Sequence, residues 1–216
     1  MSDVIITVRG EHETRIAPEE GVVHLSVRCD GPERGPVVER IAAIAAPLRE
    51  ELAARQASGE VSEWSSQRAS VWAERPWNNE GIQLPLVHHA SVDVAATFTD
   101  FAALSWWVSA VAEREGVQVG GVTWQLTSAT RRTVEAEVAA HAVQTAVSRA
   151  TAYANAIGHA SVAPLEIADV GLLGRPEADP GPRMMRAMAT DASPSLDFQP
   201  PDITVTAGVE ARFAAR

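Results

Sequence analysis

Two adjacent histidines, a single cysteine and six tryptophans are the side chains of this sequence with the most distinctive chemistry. Imidazole is a common zinc ligand, but neighbouring strand residues project to opposite faces. His88 and His89 would therefore chelate one ion only if the strand broke between them. No third ligand is close in sequence, so the pair is expected at a strand entry on the surface, with no metal or other cofactor. Cys29 alternates with Val23, Leu25 and Val27, which places it on an apolar strand face and predicts a buried, inert thiol. A redox-sensing thiol would need exposure and a lowered pKa instead. One cysteine also excludes an intrachain disulfide and any multi-thiolate zinc site.

Local signatures of catalysis are missing. No Gly-x-Ser-x-Gly elbow, His-Glu-x-x-His, Gly-x-Gly-x-x-Gly or P-loop occurs. All 18 basic residues are arginine, a pattern that a GC-rich coding bias would produce. Whatever its origin, it leaves no side-chain amine for a Schiff base or a lysine general base. The expectation is a non-enzymatic protein; the alternative is a site assembled from dispersed residues by folding. Net charge is −10, with 28 acidic residues, which argues against nucleic acid as a partner. The basic clusters Arg131-Arg132 and Arg183 with Arg186 are too small for a phosphate footprint.

The tryptophans point to contact rather than chemistry. By parity Trp64 and Trp72 share one strand face, and Trp124 lies on the apolar face of its own strand, so all three are expected in the core. Trp106 and Trp107 are helical neighbours about 100° apart and cannot both be buried. Phe101, Leu104, Val108, Val111 and Ala112 define the inner stripe; Trp107 flanks it and Trp106 points outward. An outward tryptophan is compatible with an interface, cover by a loop, or plain exposure; an interface best suits so large an apolar group. Candidate interface residues are Trp106, Trp77 and the loop methionines Met184, Met185 and Met188, since methionine packs into irregular surfaces. Self-association is the favoured function; a small-molecule or peptide groove around Trp72, Trp77 and Trp106 is the alternative.

The elements that must position these residues follow from periodicity. Val4 to Arg9 reads as a strand closed by Gly10, and residues 23–29 as a second, with Ala17-Pro18-Glu19-Glu20-Gly21 as the turn between. Pro36 suits the first turn of a helix carrying Val37, Ile41, Ile44, Leu48 and Leu52, which Pro47 is expected to kink or divide. Residues 61–73 and 88–98 read as strands joined by a Pro/Asn/Gly connection. Asp100 caps a helix running to about Glu115 and stopped by Gly116, and Val122 to Leu126 is a strand. Ser128 to Ile157 contains neither proline nor glycine and predicts a long alanine-rich helix. Glu137, His141, Gln144, Ser148, Thr151 and Asn155 form its narrow polar seam, so burial on more than one side is expected, against the sheet and against the first helix, a loop or another subunit. Val162 to Val170 is a strand, residues 171–200 a flexible loop, and Ile203 to Phe213 the last strand.

The order ββαββαβαββ predicts an α+β fold, a mixed and largely antiparallel sheet with helices on one face. Strand–helix–strand appears twice, at 22–73 and 88–127, which hints at duplication. The length of 216 residues fits a single domain over 1–216. The first ten residues lack a charged leader and a cleavage site, and no apolar run approaches the roughly 20 residues that span a bilayer, so a cytoplasmic location without a membrane span is expected.

Five ordered stretches make the chain resemble the SIMPL domain family of YggE-like bacterial proteins. They are Ile6-Thr7-Val8-Arg9-Gly10, Ala17-Pro18-Glu19-Glu20-Gly21, Gly116 through Trp124, Tyr153-Ala154-Asn155-Ala156-Ile157-Gly158, and Pro201-Asp202-Ile203-Thr204-Val205. The resemblance implies the fold, brings no catalytic motif, and connects the chain loosely with stress responses. Family members are often exported, a pattern from which this sequence departs by its missing signal peptide.

Overall fold

The computed structural model describes residues 4–173 and 198–216. Ten elements follow in the expected order: β1 (Ile5–Ile16), β2 (Glu20–Gly31), α1 (Arg34–Ser58), β3 (Val61–Glu74), β4 (Val87–Phe98), α2 (Phe101–Ala112), β5 (Val117–Gln125), α3 (Ser128–Ala156), β6 (Val162–Asp169) and β7 (Ile203–Ala215). The fold is α+β. Its strands divide between two sheets, each with antiparallel neighbours, and the chain forms two compact units.

The first unit contains β2, α1, β3, β4, α2 and β5, with strand order β3-β4-β2-β5. β2 and β4 are the central antiparallel pair; β3 lies outside β4 and β5 outside β2. Hence β2 runs parallel to β3 with β4 between them, and β4 parallel to β5 with β2 between them. These are two interleaved split β-α-β units, the topology of ferredoxin-like folds. The repeated strand–helix–strand pattern is thus an internal two-fold symmetry of connection. Both helices contribute to one core: Val37, Ile41, Leu48 and Leu52 from α1, and Leu104, Trp107, Val108 and Val111 from α2, against Val23, Leu25, Val27, Val94 and Phe98. Each fully buried leucine here contributes about 1.5–3 kcal/mol.

Two local expectations change in this unit. Pro47 does not divide α1, which is continuous over Arg34–Ser58. Its ring lies on the exposed side while Ala45, Leu48 and Leu52 are buried around it, so the missing donor falls on the solvent side and the packed face holds the helix. α2 ends at Ala112 rather than near Glu115; a turn bonding Val117 N to Arg114 O follows, with Gly116 at φ 77°. Asp100 caps α2 as expected, accepting from Ala102 N at 2.8 Å and Ala103 N at 3.1 Å.

The second unit contains β1, α3, β6 and β7, with strand order β1-β7-β6. Gly10 does not end β1, which continues to Ile16 paired with β7 along its whole length. The glycine serves close approach instead: a Cβ there would lie 2.1 Å from the Ala142 carbonyl oxygen and 2.6 Å from Ala146 N. α3 buries Val134, Val138, Ala142, Ala146, Ala150 and Ala154, a ridge at strict four-residue spacing. Small residues on that ridge let helix and strand backbones touch. The Thr127 side chain starts the helix by accepting from Thr130 N, and Gly158 follows its end at φ 85°. Burial on several sides of α3 is not observed among the described residues: this one ridge is buried, and Val147, Tyr153 and Ile157 are exposed. The helix covers β1 and β7 and only grazes β6.

Candidate functional site

α2 turns one tryptophan inward and its neighbour outward. Trp107 is 1% exposed, 5.2 Å from the Phe98 ring centroid, with its Nε1 buried and without a hydrogen-bond partner. Trp106 is 79% exposed. Trp77 is 67% exposed, in a connection held by a bridge to Gln83 and by Asn78 Oδ1, which accepts from Glu80 N and Ile82 N. Met184, Met185 and Met188, with Arg183 and Arg186, lie outside the described residues.

The parity expectation for β3 fails at one place. Trp64 pairs with Ala96 and packs against the core, and Trp124 does likewise, edge-on to Phe101 and Phe198. Trp72 pairs with His89, on the opposite face of the sheet, and is 46% exposed. The cause is a β-bulge between Ser66 and Arg68, whose extra residue reverses which face later side chains occupy. Trp72 therefore lies on the face that carries no helix, while Trp106 projects from the helical layer. No single groove joins Trp72, Trp77 and Trp106.

Instead Trp72 stacks on His89, with centroids 5.2 Å apart and planes inclined by 18°. His89 Nε2 lies 3.5 Å from Glu74 Oε1 and makes no hydrogen bond. His88 faces the other way, so the histidine pair is not a chelate. These rings border a cavity of about 440 Å³ that also takes in Arg28, Cys29, Asp30 and Gln118. Cys29 is half-buried rather than buried; its Sγ donates to the Val37 carbonyl oxygen at 3.3 Å. Burial pushes the thiol pKa up, and nearby Arg40 only partly opposes this. The thiol form prevails, as expected for an inert cysteine.

Two carboxylates titrate low, each for a structural reason. Burial would raise Glu51, but hydrogen bonds from Arg114 at 2.5 Å and Arg55 at 3.0 Å outweigh it. The guanidinium of Arg9, 2.9 Å away, lowers half-buried Glu210. Among the described residues no three His, Cys, Asp or Glu side chains are grouped to hold a metal ion.

An apolar surface feature lies in the second unit. Between α3 and β6 runs a cavity of about 340 Å³, lined by Val143, Val147, Val162, Leu165, Ile167 and Phe213. Val147, Leu165 and Ile167 leave roughly half of their surface exposed. Sequence reading missed this groove. The sequence marks 162–170 only as a strand, and only the observed course of α3 along β1 and β7 shows that, among the described residues, no helix covers β6.

A family model described as SIMPL, protein of unknown function (DUF541), matches residues 6–213. The chain belongs to the SIMPL family. The match spans both units, from β1 to β7. No curated protein matches the chain. Among the described residues of this SIMPL protein, no helix is long and apolar enough to cross a membrane.

Proposed function

We propose that this SIMPL protein works through contact, as a non-enzymatic module that associates with further copies of itself. The observation carrying this reading is the open apolar groove between α3 and β6, where Val147, Leu165 and Ile167 present aliphatic surface to solvent. An exposed helix flank beside an uncovered strand face can meet its own counterpart across a two-fold axis, the commonest symmetry of homo-oligomers. Trp106 on α2 and Trp77 in the β3–β4 connection are separate exposed side chains of the residue type most enriched at interface hot spots.

Size-exclusion chromatography with light scattering tests the reading. The expected result is a concentration-dependent dimer or higher oligomer, which Val147→Glu with Leu165→Glu converts to monomer. A strict monomer at micromolar concentration would sink it. Loss of assembly in Trp106→Ala alone would move the interface to α2.

A second reading has its own observation. The cavity bordered by Trp72 and His89 has an aromatic wall and charged groups of both signs, and its volume suits a small molecule. Thermal-shift screening separates the two: a ligand raises the melting temperature at fixed protein concentration, whereas assembly makes it depend on protein concentration.

A further inference from the structure

The remaining polar cluster of note pairs a strand histidine with a helix histidine. His12 of β1 and His141 of α3 face one another with ring centroids 4.7 Å apart and planes inclined by 42°. We propose that this pair binds a divalent transition-metal ion of the zinc and copper class. Two imidazoles sharing one tetrahedral ion, at metal–nitrogen distances of about 2.0–2.1 Å, hold their ring centroids about 5 Å apart. The observed separation of 4.7 Å is close to that.

Two further observations support ligation over simple ring packing. His141 Nδ1 donates to Gln144 Oε1 at 3.2 Å. A partner on Nδ1 orients the ring and leaves Nε2 as the nitrogen open to a metal ion, the arrangement in which an outer partner positions a metal-ligating histidine. The scaffold is also rigid at this point. Gly10, two residues before His12, brings the strand against the α3 backbone at Ala142 and Ala146, the turn that begins beside His141. The two rings are therefore carried by a strand and a helix in direct contact, not by loops.

No third His, Cys, Asp or Glu joins them among the described residues. Water or an external ligand fills the other coordination positions, so the site is open, and its affinity falls below that of a closed four-ligand structural site. Copper binds more tightly than zinc, following the general order of divalent affinities. The inference stands apart from self-association, because neither histidine lines the α3–β6 groove.

Isothermal titration of the metal-free full chain with zinc chloride, and separately with copper chloride, tests it in a non-coordinating buffer at neutral pH. The expected result is one ion per chain, weakened roughly tenfold or more in His12→Gln and in His141→Gln, with circular dichroism confirming that both variants fold. Gln144→Leu should weaken binding less than either histidine change. The copper complex should show nitrogen couplings in its paramagnetic resonance spectrum that the variants lose. Absence of stoichiometric binding overturns the proposal. So does binding that survives in the His12→Gln, His141→Gln double variant, or that disappears instead with Cys29→Ser or His88→Gln, His89→Gln.

Discussion

The two units bury a sheet face with opposite kinds of side chain. In the unit built on β3-β4-β2-β5, leucine, phenylalanine and tryptophan hold two helices away from the strands by the thickness of their own side chains. In the unit built on β1-β7-β6, Ala142, Ala146, Ala150 and Ala154 bring one helix down until its backbone meets Gly10. The first arrangement stores its stability in volume, so losing atoms is what harms it. The second stores it in proximity, so gaining atoms is what harms it. Among the described residues one helix on a three-stranded sheet also leaves a flank and a strand uncovered, whereas two helices cover a four-stranded sheet.

Substitutions of opposite sense should expose that contrast. Trp107→Ala should cost about 3–5 kcal/mol in chemical denaturation, because it empties the largest fully buried side-chain site. Trp107→Phe should cost much less, since the indole N–H has no partner to lose. Gly10→Ala adds one methyl group and should still cost about 2–3 kcal/mol, because the atoms it meets are backbone. Hydrogen exchange should then show protection falling first in β1, α3 and β7, and for Trp107→Ala first in β2, β4 and α2. Equal loss across all strands in both variants would break the comparison.

A smaller effect is read through pH in the leucine-rich unit. Glu51 sits in the leucine-rich unit with Arg114 and Arg55, and its folded pKa lies below its unfolded one. The unfolded chain therefore takes up its proton first as pH falls, and the stabilisation present above about pH 4.5 is lost through the acidic range. Glu51→Gln should lower stability by about 1–2 kcal/mol at neutral pH and by progressively less in acid, read from denaturation midpoints at several pH values. The smallest effect belongs to Trp106→Ala. With its ring in solvent, monomer stability should change by no more than about 0.5 kcal/mol, whatever happens to assembly. A larger loss would mean that the ring is covered within its own chain.

Much of this was legible in the sequence because it depends on short-range pattern. The ten elements, the Asp100 cap, the outward Trp106 and the repeated strand–helix–strand order follow from periods and punctuation. Features set by long-range packing were not legible. The bulge after Ser66 leaves no composition signal, yet it turns Trp72 from the core to the open face. Gly10 reads as a stop from sequence; only a helix arriving more than a hundred residues later gives it another role. The facing of His12 and His141, and the uncovered flank of β6, belong to the same class.

The pairing of β1 with β7 has a consequence for how the chain is made. Arg9 meets Glu210, 201 positions away, so β1 obtains its hydrogen-bonded neighbour only when β7 has been completed. The unit enclosed between them can fold meanwhile, its ends already joined where Glu19 N bonds Gln125 O at 3.0 Å. During that wait β1 is an unpaired edge on a growing polypeptide. Arg9, Glu11, Glu13 and Arg15 alternate along it, and charges so spaced oppose the wrong partner until the right one leaves the ribosome.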